Sequence, residues 1–194
     1  MGDFSVDLQK AYAIRLKGRT SLARKLRYWI SDSELHCLAC YRFGEFADDL
    51  RSRHRFAGLV MVALHRIWNR RVTHIDHCDI SHSARIGPGL LLMHRHGVMI
   101  GPVVIGKNCV IHQGVTIGER VAGGDHGVPS IGDDVWIGPG AIITGDITVG
   151  DGATISAGTV LSRDVAARCL VGGNPGRVLV NGYDNSAILN YRVG

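Results

Sequence analysis

The sequence predicts a mainly β protein: a left-handed parallel β-helix of hexapeptide repeats with a small N-terminal α-helical domain. Three observations support this. Aliphatic residues recur at every sixth position over residues 105–166, the residue after each of them is usually small, and glycine is abundant, with 26 in 194 residues. A fixed short period indicates a repeat architecture, and a period of six fits neither a helix nor a long strand. The framed residues are Ile105, Ile111, Ile117, Ile131, Ile137, Ile143, Val149, Ile155 and Leu161.

Each hexapeptide is expected to form one short strand and one corner, and three hexapeptides close a triangular coil. The aliphatic residue then points into the prism. The glycine that often follows it, as at Gly106, Gly138 and Gly150, sits where a bulkier residue would crowd the corner.

The chain before the repeats has helical spacing. Residues 1–20 carry only a weak signal for a short helix, but apolar residues three and four apart follow them. Ser33 is a candidate N-cap for the second of the helices that this spacing predicts. Those helices run from about Ser21 to Ile30, from about Glu34 to Leu50 and from about Phe56 to Asn69.

These patterns divide the chain into three parts. We expect a helical domain over residues 1–72, a β-helix over residues 73–166 and a C-terminal extension over residues 167–194. The repeat pattern stops after Leu161, and the extension reads as a strand, a Gly/Pro turn and a further extended piece.

Two irregularities interrupt the repeats. Ile80, Ile86 and Leu92 already follow the six-residue frame, but the frame then slips by one, so that Met99 becomes the residue leading to Ile105. A bulge of this kind re-aims side chains and often lies beside a functional site. The second irregularity is a protruding polar loop over residues 119–130, which a rigid coil is well suited to present to a ligand.

Composition narrows the class of protein. The net charge of +5 arises largely from arginines before the repeats, and we favour a solvated face over nucleic-acid binding, although the field would also suit a phosphorylated cofactor. The five cysteines match no zinc or redox pattern beyond the single pair Cys37 and Cys40, which we interpret as small apolar residues on a helix. The start resembles no signal peptide, and the apolar run Leu59–Leu64 is too short to span a bilayer, so we expect a cytoplasmic protein without a membrane span.

The bulge carries the first candidate for catalysis. His94 lies there, and an unperturbed imidazole is the natural general base at neutral pH. Asp79 is a candidate partner that would orient the ring and stabilise the imidazolium. The sequence has no nucleophile elbow, and its histidines match no standard zinc spacing. We therefore expect no metal, and direct attack by a substrate group that His94 activates.

Several segments resemble the serine acetyltransferases, which are hexapeptide-repeat acyltransferases. The resemblance covers about residues 22–180 and includes the helical lead-in. It is carried by Asp79-Ile80, Ile86-Gly87-Pro88-Gly89, the run His94–Gly101, the run Gln113–Gly118, Gly123-Gly124-Asp125-His126 and the run Gly172–Arg177.

The resemblance implies an acetyl-CoA-dependent O-acetyltransferase that works as a homotrimer with active sites between neighbouring subunits, with pairing of two trimers as a further option. His94 matches the general base, Asp79 its carboxylate partner, and His126 the loop histidine that helps to hold the acceptor or the oxyanion. Acetyl-CoA would lie along the coil edge. The residues expected near it are Thr116, Gly118, Gly138, Ala141 and Ala157.

The acceptor pocket departs from the family pattern. Met93 stands where the family usually has an aspartate before the base, and Asp125 stands where it usually has an arginine before the loop histidine. Arg95 and Arg120 are candidates to replace the lost charge, and Met93, Arg95, His96 and Asp125 are the residues expected near the acceptor. Two acceptors therefore stay open: L-serine, and a sugar hydroxyl of a glycan or nucleotide sugar. A third reading is a β-helix that binds a partner without catalysis.

Overall fold

The computed structural model describes residues 2–16, 21–121 and 127–189. Within these ranges the chain runs through helices and then winds into a parallel β-helix of about five turns. The helices are α1 (Gly2–Leu16), α2 (Leu22–Ser31), α3 (Ser33–Arg53), α4 (Arg55–Arg71) and α5 (Ser186–Leu189), with a π-helical turn at Val72–Asp76. The strands are β1 (Cys78–Ile80), β2 (Arg85–Ile86), β3 (Leu91–Met93), β4 (Val98–Ile100), β5 (Val104–Ile105), β6 (Val110–His112), β7 (Thr116–Gly118), β8 (Ser130–Ile131), β9 (Trp136–Ile137), β10 (Ile142–Thr144), β11 (Thr148–Val149), β12 (Thr154–Ile155), β13 (Val160–Leu161), β14 (Cys169–Gly172) and β15 (Arg177–Asn181).

The strands form the three faces of the prism. Sheet A has the order β1-β4-β7-β10-β13, sheet B the order β2-β5-β8-β11, and sheet C the order β3-β6-β9-β12-β14-β15. All neighbours pair in parallel except β14 and β15, which are antiparallel. The predicted left-handed β-helix and the helical region before it are confirmed.

The predicted six-residue frame is the core of the prism. All nine framed residues from Ile105 to Leu161 are buried. They stack in register, so that Ile117 pairs with Ile143 in sheet A and Ile137 pairs with Ile155 in sheet C. The residues at these corners are small for the predicted reason, which is crowding. A Cβ on Gly106 would lie 2.6 Å from the carbonyl carbon of Gly132 in the next coil.

The frame slips differently from the prediction. Ile100 is the inward residue, with 3% of its surface exposed, whereas Met99 is 56% exposed. Ile100 pairs with Ile80 and Ile117, and Met99 pairs with Asp79 on the outer face. The prediction for Met99 was wrong because the corner after Leu92 is two residues longer than a standard corner and the next hexapeptide is one residue shorter.

The coil continues beyond Leu161, the last residue of the predicted six-residue frame. Val165 bridges Val149, and Val171 pairs with Ile155, so a further turn follows with shorter spacing. The predicted strand, turn and extended piece are confirmed as β14, the turn at 173–176 and β15. The strict period is lost there, which is why the sequence pattern stopped.

The helical segment is anchored on the first coil by buried polar groups. Asp7 of α1 accepts hydrogen bonds from the backbone N–H of Gly89 at 2.6 Å and forms an ion pair with Arg42 of α3 at 2.8 Å. Lys10 donates through Nζ to the carbonyl oxygens of Gly89 and Asn108 at 2.8 and 2.7 Å. These contacts fix α1 and α3 against the corner between sheets B and C.

The predicted helices are confirmed to within a few residues as α2, α3 and α4. The predicted cap is wrong: Asp32, not Ser33, caps α3, because its side chain accepts a hydrogen bond from the N–H of Leu35. Cys37 and Cys40 are buried in the core, as small apolar residues would be. Among the described helices, none has the length and apolar composition needed to cross a membrane.

Candidate active site

The corner between sheets C and A carries the first candidate residue. β3 ends at Met93 and β4 begins at Val98, and the residues between them reverse the chain. His94 has a φ of 59° and Gly97 a φ of 73°, both in the left-handed region. A non-glycine residue rarely adopts this conformation, and such positions cluster at functional sites. The His94 side chain is exposed and free to meet a ligand.

An ion pair fixes this corner to the end of the helical segment. Arg95 Nη2 lies 2.8 Å from Asp76 Oδ1, and both side chains are largely buried. The N–H of Gly97 donates to the carbonyl oxygen of His77 at 2.8 Å. Arg95, which the sequence placed near the acceptor, therefore neutralises Asp76 and holds the corner in place.

Three other imidazoles belong to this corner or to residues that contact it. The ring of His96 is 6.4 Å from that of His77. His112 occupies the position directly above Met93 in sheet C, and its ring packs 4.8 Å from that of Trp136. Burial lowers the pKa of His112 below its usual value, and the nearby charge of His94 lowers it further. His112 is thus a half-buried base beside His94.

Met93 faces the helices. It packs with the apolar cluster formed by Ala11, Leu35, Leu91 and Val110, and its sulfur accepts a weak hydrogen bond from Arg15 Nη2 at 3.6 Å. An aspartate at this position would place a carboxylate, in place of the methionine sulfur, beside Arg15. This contact joins α1 to the strand that leads into His94.

Asp79 lies on the outer face of sheet A, at the floor of a groove of about 880 Å³ between this sheet and α4. It pairs with Met99 in the strand register. Within the described chain, no hydrogen bond or ion pair joins Asp79 to His94. The groove is lined by cationic and imidazole side chains around Asp79, with Thr116 and Gly118 at its far end. These side chains are Arg51, Arg66, Arg70, His65, His74 and His82.

A column of glycines rises from the His94 corner along the prism. Gly97, Gly114, Gly140 and Gly158 occupy equivalent corner positions on successive coils, and each has a positive φ. Above Gly140 and Gly158, no atom of the described residues outside the neighbouring chain positions lies within 4 Å of where a Cβ would be. We call this surface the glycine track. It is free of side chains and presents backbone groups to anything that lies along it.

Three of the predicted acetyl-CoA residues lie at the corner that carries this track, and the other two lie on β7 of sheet A. Gly138 and Ala157 lie at the same corner, and a Cβ on Gly138 would lie 2.7 Å from the backbone nitrogen of Ala157. Thr116 and Gly118 lie on sheet A, and the carbonyl oxygen of Ala141 accepts a hydrogen bond from the N–H of Thr116 at 2.9 Å. Gln113 Oε1 is buried without a hydrogen-bond partner in the described chain.

The protruding loop leaves from the other edge of sheet A. Residues 119–121 follow β7 and residues 127–129 precede β8, whereas Asp125 and His126 lie outside the described residues. Arg120 donates to the carbonyl oxygen of Ser162 at 3.3 Å, away from the His94 corner. The length of the strands of sheet A therefore separates His94 from the two ends of the loop.

His112, Trp136 and the glycine track were not selected from the sequence. His112 was given no role from the sequence. Among the described residues, no group of three or more His, Cys, Asp or Glu could hold a metal ion. A signal for the track was present, because Gly97, Gly114, Gly140 and Gly158 recur at coil spacing once the loop is subtracted.

The fold and the repeat define a hexapeptide-repeat transferase. Residues 129–163 match the family described as "Bacterial transferase hexapeptide (six repeats)", and residues 97–122 match "Hexapeptide repeat of succinyl-transferase". The serine acetyltransferase of Bacillus pumilus is 36% identical over 158 residues, which cover 69% of this chain and 72% of that protein. The chain belongs to the serine acetyltransferase family.

Other relatives are longer. The serine acetyltransferase of Synechococcus elongatus is 40% identical over 104 residues, which cover 52% of this chain and 42% of that protein. The chain thus spans less than half of the length of some of the curated relatives that it matches.

Solved structures of the family share the fold. A serine acetyltransferase from Brucella abortus in complex with coenzyme A superposes with a TM-score of 0.75 at 28% identity, covering 93% of this chain and 67% of that one. A serine acetyltransferase from Neisseria gonorrhoeae in complex with serine superposes with a TM-score of 0.73 at 29% identity, covering 92% of this chain and 68% of that one.

Proposed function

We propose that this protein is an acetyl-CoA-dependent serine O-acetyltransferase. The observation that carries the proposal is the His94 corner, where an exposed imidazole stands at the foot of the glycine track. The track offers a long, side-chain-free surface to an extended thioester, and the imidazole offers a base at its end. Family membership supports both the donor and the reaction.

The proposed reaction is a direct transfer. His94 removes the proton from the acceptor hydroxyl, and the oxygen attacks the thioester carbonyl carbon of acetyl-CoA. The C–S bond then breaks, and the CoA thiolate leaves with the proton that His94 holds. The products are the acetyl ester and free CoA, and no acyl-enzyme forms.

Asp79 is proposed to orient the His94 ring. No contact joins the two side chains in the free chain, but catalytic hydrogen bonds often tighten only when substrate is bound. The position of Asp79 on β1, one strand from the His94 corner, supports the assignment. His126 is proposed to help hold the acceptor or the oxyanion, and its role stays a prediction because it lies outside the described residues.

Acetyl-CoA is proposed to lie along the glycine track past Gly138 and Ala157. Thr116, Gly118 and Ala141 are proposed to contact acetyl-CoA on or beside sheet A.

A homotrimer with active sites between neighbouring subunits is proposed from the family resemblance. His94 and the loop over residues 119–130 leave from opposite edges of sheet A, whose three-residue strands β4 and β7 span roughly 10 Å. A neighbouring copy can bring its loop to His94, as the family resemblance implies. The pairing of two trimers stays a further option. A cytoplasmic location is proposed because all five cysteines are unpaired, as in a reducing compartment.

L-serine is the proposed acceptor, and a sugar hydroxyl is the second candidate. The second candidate is favoured by one observation: Arg95 is occupied by Asp76, and Met93 packs beneath α1 beside Arg15. Of the two described residues beside His94 in sequence, Arg95 is already paired and Met93 has no charge. Neither therefore offers a free charge to the amino or carboxylate group of serine. Asp125 and the partner's loop are the remaining sources of recognition.

Release of free CoA from acetyl-CoA tests the function. Purified protein is assayed with L-serine and with a panel of sugars and glycans. Rapid release with serine supports the proposal, and release only with a sugar supports the second candidate. A protein that binds acetyl-CoA with no acceptor-dependent release would contradict both, and absence of acetyl-CoA binding would favour a β-helix that binds a partner without catalysis.

A further inference from the structure

The groove between α4 and the outer face of sheet A has a volume of about 880 Å³, which is within the range of pockets that hold small molecules. The α4 residues that line it recur at intervals of three and four, so one side of the helix faces the groove. This side begins with an apolar residue and is polar from the next turn onward. Its members, which include one residue of the π-helical turn, are Val62, His65, Arg66, Asn69, Arg70 and Thr73.

Two guanidinium groups stand side by side on this side of the helix. Arg66 and Arg70 are one turn apart, which places their Cβ atoms about 6 Å apart on the same face. Arg51 of α3 lines the groove as well. Helix α4 contains no acidic residue that could pair with them. A guanidinium group is planar and binds phosphate oxygens through two N–H groups, so two of them in one groove suit a phosphate-bearing ligand.

The three arginines of the groove are not occupied by other side chains. Within the described residues, Arg51, Arg66 and Arg70 form neither an ion pair nor a side-chain hydrogen bond. By contrast, Arg42 and Arg95, which fix the helices on the coil, each lie 2.8 Å from a carboxylate oxygen. The groove arginines are therefore available to a ligand, and the concave surface strengthens their field.

Two carboxylates also line the groove, and together they do not balance its positive charge. Asp79 lies on sheet A at the floor of the groove. Asp48 lies on α3 near His65: burial lowers the pKa of this imidazole, and the charge of Asp48 opposes that shift. Neither aspartate forms an ion pair with a described residue. With the histidines neutral, three arginines against two aspartates leave the groove with a net positive charge.

The groove adjoins the proposed active site. Thr116 and Gly118, which are proposed to contact acetyl-CoA, line its far end, and Asp79 is proposed to orient the base. At the His94 corner itself, Arg95 is already paired with an aspartate and offers no free cation to an anionic ligand. The groove offers three. A ligand held in the groove would thus lie beside residues of the proposed transfer reaction.

We propose that this groove binds phosphate-bearing ligands, with Arg66 and Arg70 holding the phosphate oxygens and Arg51 adding to the field. The phosphate can come from two sources. It belongs to the acceptor, as in a nucleotide sugar, or to a separate small molecule that binds beside the acceptor. The first source rests on the proposed acetyltransferase function, and the second does not.

Isothermal titration of the full chain with uridine diphosphate (UDP) tests the binding. We expect UDP to bind and uridine not to bind, and we expect the affinity for UDP to fall with added salt because the contact is electrostatic. D-glucuronate is expected to bind more weakly than UDP, because it carries a single carboxylate. No binding of UDP, or equal binding of uridine or glucuronate, would overturn the proposal.

A pair of substitutions locates the contact. Arg66→Gln/Arg70→Gln is expected to weaken UDP binding about a hundredfold, since each hydrogen-bonded charge contributes about tenfold or more. Arg24→Gln/Arg27→Gln on α2 is the matched control, because it changes the net charge equally at two exposed arginines that do not line the groove. We expect this control to bind UDP like the wild type. Wild-type binding in the groove pair, or an equal loss in both pairs, would contradict the location.

Asp48→Asn provides a gain of binding that a damaged fold cannot produce. The change removes a carboxylate from the groove and leaves the arginines in place, so UDP binding is expected to strengthen about twofold to fivefold. Asp49→Asn is the control, because Asp49 is the next residue but does not line the groove. It is expected to leave UDP binding unchanged. Weaker binding in Asp48→Asn would contradict the proposal.

CoA release with UDP-glucose and with glucose separates the two sources of phosphate. A phosphate on the acceptor predicts a higher kcat/KM with UDP-glucose, which Arg66→Gln/Arg70→Gln lowers to the value for glucose. A separate ligand predicts equal kcat/KM for both sugars, and UDP binding that saturating serine does not displace. Displacement of UDP by CoA would assign the groove to the donor and overturn the proposal. Absence of CoA release with every acceptor would contradict the proposed function, whereas UDP binding would still stand.

Discussion

Arg95 and Asp76 form an ion pair of 2.8 Å that joins the His94 corner to the π-helical turn before the first strand. The pair links the helical segment to the β-helix beside the candidate base. It also removes Arg95 from the set of charges free to bind an acceptor.

Arg95→Met is therefore expected to lower stability and turnover while leaving acceptor affinity nearly unchanged. Loss of a largely buried charged hydrogen bond costs about 2 kcal/mol of unfolding free energy. Arg53→Met, which breaks an exposed pair with Asp49, is the control and is expected to cost less than about 1 kcal/mol. Urea unfolding and steady-state kinetics measure both. A large rise in the acceptor KM at constant kcat would show that Arg95 binds the acceptor after all.

The charge of His94 is expected to affect the pKa of His112. Burial lowers the pKa of His112, and the His94 charge lowers it further. In His94→Asn the pKa of His112 is therefore expected to rise, as followed by NMR titration of the imidazole protons. His65 is the internal control, because burial, Asp48, His82 and Arg66 shift its pKa and His94 does not. An unchanged His112 pKa would mean that the two rings are not neighbours in solution.

Lys10 is expected to make stability rise with pH above about 8. Burial lowers its pKa from 10.5 to about 8. Between these values the unfolded chain binds more protons than the folded one, so unfolding free energy increases with pH. Raising the pH from about 7 to about 9.5 should add about 2 kcal/mol through this residue.

Lys10→Met isolates this contribution. Burial raises the pKa of the Cys40 and Cys109 thiols to about 12, so the folded chain holds their protons longer and stability falls at high pH in both proteins. The difference between wild type and variant in urea unfolding, measured at both pH values, removes that common effect. A difference that does not change with pH would contradict the lowered pKa of Lys10.

Two adjacent isoleucines test the predicted frame of the coil. Ile143 is fully buried inside the prism, and Ile142 faces outward from the same strand. Ile143→Ala is expected to cost about 2–5 kcal/mol because it leaves a cavity, and Ile142→Ala less than about 1.5 kcal/mol. Urea unfolding of the isolated chain compares them. Equal costs would contradict the inward and outward assignment.

The coil was predictable because each hexapeptide buries a residue at the same position and forms the same corner. Each inward residue such as Ile137 stacks on its counterpart one coil away, and each corner glycine such as Gly106 meets backbone, so the same residue types recur at one period. The slip at Met99 was misjudged because a corner with two extra residues is followed by a hexapeptide with one residue fewer. The net change is one residue, which looks like a single shift of the frame. After Leu161 the spacing between inward residues becomes shorter, so the six-residue period no longer indicates the coil.

The conformation of the His94 corner was predictable from the sequence, but its contacts were not, and its role as the active site stays a prediction. The interrupted frame pointed to the His94 corner, and the structure finds a strained, exposed histidine there. The partners of Arg95 and Met93 come from Asp76 and Arg15, which lie in segments without the repeat, so no periodicity relates them. The roles of Asp79 and His126 and the division of the chain into three domains stay predictions.

The turnover of His94→Asn tests the central claim most directly. Asparagine tolerates the left-handed backbone that His94 adopts, so the corner is expected to keep its shape while the base is lost. The measurement is the kcat for CoA release with the best acceptor, and circular dichroism confirms the fold. We expect kcat to fall by about a hundredfold to ten-thousandfold. A kcat within about threefold of the wild type would contradict the assignment of His94 as the general base.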